Sequence, residues 1–218
     1  MAQLITGLDV ATVRDNLARV HDEIAAAGRD PAEVQVLAAV KYVALEELGV
    51  LAQAGVTLLG ENRAQELAAK AAAWTGRADF TWDFIGPLQS RKVKQVLPLV
   101  RYIHSVASDS VLRELGRHGT PQTEVLIEVN VAGEPDKGGF APAELDDVVA
   151  RCPVRVVGLM TMPPLAADPE ASRPWFAALA QLAGERGLHQ LSMGTSQDYA
   201  VAAAEGATIV RVGTSLYR

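Results

Sequence analysis

The stretch VQVLAAVKYVALEELGVLAQAGVTLLGEN, Val34 to Asn62, decides the fold. It opens with a short apolar run, VQVLAAV, continues as helix-forming LEELGVLAQAG that stops at Gly55, and closes on a second run, VTLLG. Two β-rich runs separated by an amphipathic stretch read as parallel strands joined by a crossover helix. Working outward, the unit repeats. Further β-rich runs are TWDFIG, RYIHSV, TEVLIEVNV, VRVVGLM, LHQLSM and ATIVRVG. Helical stretches lie between them: RAQELAAKAAAW, SRKVKQVLPLV, SDSVLRELGRHG, APAELDDVVARC, PEASRPWFAALAQLAGERG and SQDYAVAAAEG. An additional amphipathic helix, from about Val10 to Ala27, precedes the first strand. Gly28, Gly55, Gly119, Gly187 and Gly206 stand where helices should stop, as C-caps.

Eight strands alternating with helices predict an α/β fold with a parallel sheet. An open doubly wound sheet fits the alternation nearly as well. The strand count and the length of 218 residues favour a closed (β/α)8 TIM-type barrel, which typically takes about 250 residues. No linker or composition shift divides residues 1–218, so one domain is expected, with Met162–Pro169 as a loop.

Composition narrows the class. The chain is 49% hydrophobic and 21% charged, with a net charge of −6, which argues against nucleic acid as a partner. No signal-like N-terminus and no apolar segment of membrane-spanning length stand out, so a cytoplasmic protein with no membrane partner is expected. The single cysteine, Cys152, allows no internal disulfide and reads as a free, partly buried thiol. His21, His104, His118 and His189 are scattered without ligand spacing, so no metal is expected, and burial with a satisfied hydrogen bond is the favoured reading of His104. Arg91, Lys92 and Lys94 in SRKVKQV read as a solvated face.

In barrels, active sites form at the C-terminal ends of the strands. Here the apolar runs end in Lys41, in Gly60–Glu61–Asn62, in Gly86, in His104–Ser105, in Asn130, in Met160–Thr161, in Ser192 with Gly194, and in Gly213–Thr214. Alternation puts Leu37, Ala39 and Lys41 on one face, with space above Ala39, and turns Tyr42 away. A lysine in apolar surroundings is the requirement for a Schiff base with a carbonyl compound; snorkelling to solvent is the bland alternative. In ATIVRVGTS, Ile209, Arg211 and Gly213 share a face, and an inward guanidinium needs acceptors. Gly213 and Thr214 offer backbone N–H groups and a hydroxyl. In SMGTSQDYA, Gly194 permits close approach while Thr195 and Ser196 open a helix, with Ser196 as an anion ligand, an N-cap or both. A lysine, two such turns and an inward arginine suit a phosphorylated aldehyde such as pyridoxal phosphate.

The segments VLAAVK, GENRAQEL, FIGPLQSRK, KGGF, GLMTMP and LSMGTSQDYAVAAAEGATIVRVGT resemble the pyridoxal-phosphate homeostasis protein family, in order, from about Val34 to Tyr217. Those proteins look like the barrel domain of alanine racemases standing alone. The resemblance implies that Lys41 forms the Schiff base, that Asn62 lines the cofactor ring, that Ser196, Gly213 and Thr214 cradle the phosphate, and that Arg211 faces the pyridine nitrogen. Departures are Asp83, Thr195, Ala107 and Arg218, where the family often has His, Met, Asp and Gly.

The implied function is a carrier or buffer that hands pyridoxal phosphate to apo-enzymes. An amino-acid racemase or related pyridoxal enzyme is the alternative, and a cofactor-free Schiff-base aldolase is a third reading that would have to explain Arg211. Two-base racemisation needs a second acid/base, which alanine racemases draw from a partner's C-terminal domain. The sequence stops at Arg218 directly after the last strand, so the carrier and a monomer are expected.

Overall fold

The computed structural model describes residues 4–75 and 80–218. Its eight strands are β1 (Gln35–Ala39), β2 (Leu58–Glu61), β3 (Thr81–Phe84), β4 (Tyr102–Val106), β5 (Glu124–Glu128), β6 (Arg155–Met160), β7 (Gln190–Thr195) and β8 (Ile209–Val212). Each pairs in parallel with the next, and β1 pairs with β8, closing the barrel in sequence order. The α/β barrel expected from the alternation is what forms, and all eight apolar runs are strands.

The helices are α1 (Val10–Ala26), α2 (Leu48–Gln53), α3 (Ala64–Ala73), α4 (Val93–Val96), α5 (Asp109–His118), α6 (Leu145–Arg151), α7 (Arg173–Gly184), α8 (Tyr199–Ala204) and α9 (Thr214–Tyr217). In α1, Val13, Asn16, Val20 and Ile24 are buried, the three- and four-residue spacing of one helical face. Asp9 caps its start, accepting from Thr12 N–H at 2.8 Å, and Gly28 follows its end at φ +85°. Asn16 Nδ2 donates to the carbonyls of Leu216 (3.1 Å) and Arg218 (3.0 Å), tying α1 to α9 beside the last strand. The stretch SRKVKQVLPLV forms only one α-turn between two 3-10 turns, because Pro98 has no N–H to continue the ladder. Gly119 follows α5 at φ −72°, not in the left-handed region. Its lack of a side chain serves a close approach instead: a Cβ there would lie 2.5 Å from the Leu115 carbonyl oxygen and from Val154.

The strands bury two different faces. Outward residues such as Ala38, Leu59, Phe84, Ile103, Ile127, Leu159 and Val210 join the helices in the main core. Inward, Leu37, Leu58 and Ile209 form a small separate cluster, flanked by Ile85 and Tyr102. Leu37 fills the space over Gly60, where a Cβ would sit 2.2 Å from its Cδ2. Above that plug the interior turns polar: Asp83, His104, Ser192 and Arg211 are all buried there. Cys152 is a free thiol, half-buried, with its pKa raised by burial. Among the described residues no helix is long and apolar enough to cross a membrane.

Candidate functional site

The strand register gathers the candidate residues at one end of the barrel. Arg211 stands opposite Leu37 on β1 and Thr195 on β7. A Cβ built on Gly213 would lie 3.6 Å from that of Ala39, so the β8 turn sits directly against the end of β1. Ala39 pairs with Gly60 on β2, which carries Asn62 two residues further on. Gly86 lets the end of β3 close onto Asn62, since a Cβ there would meet the Asn62 carbonyl oxygen at 2.2 Å.

Lys41 stands at this end but not in the environment expected. Strand β1 stops at Ala39 and the chain turns through Lys41 and Tyr42. The lysine is solvent-exposed instead of enclosed by apolar side chains, and its Nζ lies over the Tyr42 ring, 5.1 Å from the centroid. Strand alternation does not reach past Ala39, so Tyr42 is beside the amine and not turned away from it. The backbone leading to Lys41 is held firmly. Tyr217 Oη donates to the Ala39 carbonyl at 3.2 Å, and Lys70 Nζ to the Val40 carbonyl at 2.6 Å. Lys70 also pairs with Glu61 at 2.6 Å, with side-chain exposures of 6% and 0%, so the pair is desolvated and structural. Burial pushes the Tyr217 phenol pKa up, with the Glu61 charge adding to the rise, which keeps it a donor.

The two glycine turns meet as a cradle. Ser196 Oγ accepts from Gly213 N–H at 3.0 Å and from Ser215 N–H at 3.5 Å, while Ser215 Oγ donates to the Ser196 carbonyl at 3.2 Å. The Ser196 hydroxyl hydrogen has no acceptor among the described residues, so it is available to an anion. Ser196 does not open the helix: α8 begins at Tyr199. The Asp198 carboxylate has captured Thr195 instead, accepting from its N–H at 2.7 Å and its hydroxyl at 3.1 Å. Ser196 and Thr214 line a cavity of about 390 Å³ together with Arg19, Glu23, Tyr199 and Arg218. Glu23 is taken by Tyr199 Oη at 2.5 Å.

Arg211 is inward and buried, as the β8 pattern predicts. Its Nη1 donates to Ser192 O (2.7 Å) and Oγ (2.6 Å), and its Nη2 to Thr161 O (2.9 Å) and Met162 Sδ (2.9 Å). Nε–H takes no partner among the described residues. Burial lowers its pKa to about 10, with Glu128 and Asp198 opposing the drop, so it is a cation at neutral pH. Asn62 Oδ1 is buried with no hydrogen-bond partner. An unmatched buried polar atom costs stability.

One participant escapes a sequence reading. Glu128 ends β5 near Arg211; burial raises its pKa, and Arg211 and Lys137 offset part of the rise. Alternation with buried Leu126 was its available signal. His104 is fully buried with both nitrogens bonded. Arg91 is exposed and bonded only to Gln89, as a solvated face should be.

Residues 8–218 match the family described as "Alanine racemase, N-terminal domain". A pyridoxal phosphate homeostasis protein of Aquifex aeolicus (strain VF5) is 40% identical over 214 residues, covering 92% of this chain and 93% of that protein. The chain belongs to the pyridoxal phosphate homeostasis protein family. A second relative of that name, from Pseudomonas aeruginosa, is 36% identical over 221 residues, covering 95% of this chain and 96% of its own. The structure of PipY from Synechococcus elongatus PCC7942 with PLP bound superposes with a TM-score of 0.78 at 32% identity, over 94% of this chain and all of PipY.

Proposed function

We propose that this chain binds pyridoxal phosphate reversibly through Lys41, buffers it, and passes it to apo forms of the enzymes that use it, with no strong catalysis of its own. The names of its relatives and the PLP held by PipY support the ligand. The unmatched groups of this chain fit it. Ser196 O–H and Thr214 Oγ1 suit the phosphate, with the Gly213 N–H beside them on Ser196 Oγ and with Arg19 and Arg218 adding positive charge along the same cavity. The Asn62 Oδ1 suits a donor at the ring edge, and the Arg211 Nε–H, left over once Nη1 and Nη2 are engaged, suits the ring nitrogen. When bound, pyridoxal phosphate supplies an aldehyde for amines and a ring that withdraws electrons best when its nitrogen is protonated.

Arg211 is the observation that carries the non-catalytic reading. A guanidinium has donors and no acceptor, so it can hold only an unprotonated ring nitrogen, and its charge opposes a proton arriving there. A pKa of about 10 leaves that charge in place at pH 7. The residue thus favours holding the ligand over using its ring as an electron sink. Exposure of Lys41 suits exchange of the bound aldehyde with other amines and with water.

One observation favours the alternative, an amino-acid racemase or other pyridoxal enzyme: the Tyr42 ring lies beside Lys41, where a phenol could carry a proton. The same reading takes residues 1–218 as one domain acting as a cytoplasmic monomer, with neither nucleic acid nor membrane as a partner. The test is to incubate stoichiometric protein with L- and D-alanine, L-serine and L-aspartate and follow them by chiral chromatography. Negligible turnover, with pyridoxal phosphate passing to an apo-aminotransferase, supports the carrier. Turnover in the usual enzyme range of about 1–10³ per second contradicts it.

A further inference from the structure

We propose that Asp83, His104 and Ser192 are positioning residues for Arg211, a one-way hydrogen-bond relay through the barrel that fixes the guanidinium and leaves its Nε–H free. The inference rests on the pyridoxal phosphate reading of the site.

Each step of the relay forces the next. Asp83, on β3, is held ionised: burial alone would raise its pKa, but hydrogen bonds and charge from His104 and Arg101 bring it below the usual carboxylate value. Its Oδ1 accepts from Arg101 Nε (3.1 Å) and Tyr102 N–H (3.1 Å), and its Oδ2 from Arg101 Nη2 (2.5 Å). A carboxylate only accepts, so His104 Nε2, 3.0 Å from Oδ2, carries the imidazole hydrogen. Burial lowers the His104 pKa, which keeps the ring neutral and Nδ1 bare. Ser192 Oγ lies 2.8 Å from Nδ1 and must donate its hydrogen there. Only lone pairs then remain on Ser192 Oγ, and Arg211 Nη1 donates to them at 2.6 Å.

The four residues come from β3, β4, β7 and β8, and none is more than 5% exposed. Stability alone does not call for such an arrangement, because apolar packing in place of a buried polar network is often neutral or stabilising. The layer beneath, Leu37, Leu58 and Ile209, is filled that way. What the relay adds is direction. Every oxygen facing Nη1 and Nη2 is an acceptor, so the guanidinium has one orientation and one donor to offer. In Asp83→Asn the amide can donate to His104 Nε2, the tautomer inverts, and Ser192 Oγ must accept from both His104 Nδ1–H and Arg211 Nη1 while its own hydrogen loses its acceptor, which weakens the hold on the guanidinium. Ser192→Ala removes that oxygen outright.

The experiment compares binding of pyridoxal phosphate with that of its analogue bearing carbon in place of the ring nitrogen. The unaltered protein is expected to prefer pyridoxal phosphate, and Asp83→Asn and Ser192→Ala to shrink that preference by about tenfold, the size of one hydrogen bond to a charged group. An unchanged preference in folded variants overturns the proposal. So does an equal loss for both ligands, which marks a merely structural role. Independently of the variants folding, ¹⁵N NMR of the unaltered apo-protein should show neutral His104 protonated at Nε2; the Nδ1 tautomer or an imidazolium overturns the relay. Failure of the unaltered protein to bind either ligand would defeat the proposed function, while the His104 spectrum still decides the relay.

Discussion

Replacing Ser196 by alanine removes one oxygen that serves the cradle in two ways. Its lone pairs take Gly213 N–H at 3.0 Å and, more weakly, Ser215 N–H at 3.5 Å, which holds the β8 turn against the β7 turn. Its hydrogen has no acceptor among the described residues and is the donor proposed for phosphate. Losing a hydrogen bond to a charged acceptor costs about 1.5–3 kcal/mol. The Gly213 N–H released by the substitution is half-buried and can turn to water or to the anion itself, so it adds little. The dissociation constant for pyridoxal phosphate should therefore rise about ten- to a hundredfold. The assay is an absorbance titration run in parallel with unphosphorylated pyridoxal, whose affinity should barely change. Equal weakening for both ligands, or none for either, would place the phosphate elsewhere and refute the reasoning.

Two further outcomes follow from buried charges. Lys70→Met leaves Glu61 buried and unpaired, so chemical denaturation should show a loss of about 3–5 kcal/mol, part of which Glu61→Gln in the same chain restores; unchanged stability of the single variant would contradict the pairing. His104 and Asp83 both have folded-state pKa values below their ordinary 6.5 and 3.8, so the unfolded chain binds more protons and stability is lost on acidification. The melting temperature should fall as pH drops below 6.5 through the His104 range, then again below 3.8 through that of Asp83. His104→Gln should flatten the first fall, and a melting temperature that rises over that interval would reverse the assigned signs.

The fold was legible because a parallel strand buried on both sides writes itself as a short, mostly apolar, β-rich run, and every such run from VQVLAAV to ATIVRVG contains a strand. The inward arginine was legible too, since Val210 and Val212 on either side left Arg211 no other direction. Alternation failed at Lys41 and Tyr42 because it is a property of strands, and β1 ends at Ala39. The start of α8 was misread for a different reason. Thr195, Ser196 and Asp198 are all capable of capping, and only the fold decides that the Asp198 side chain turns back to Thr195. The relay was invisible because its members lie on four strands, and a single sequence does not say which inward side chains share a level. Lys70 was equally hidden, since its position in α3 gives no hint that its ammonium reaches the Val40 carbonyl.

The central claim is that Lys41, pinned at the barrel mouth beside the phosphate cradle, is where pyridoxal phosphate attaches. Borohydride reduction of the loaded protein, followed by proteolysis and mass spectrometry, tests it most directly. The account predicts a single stable adduct on the peptide carrying Lys41, and a colourless protein in Lys41→Ala. An adduct on Lys137 or Lys92, or an unmodified Lys41 in protein that still binds the cofactor, would contradict it.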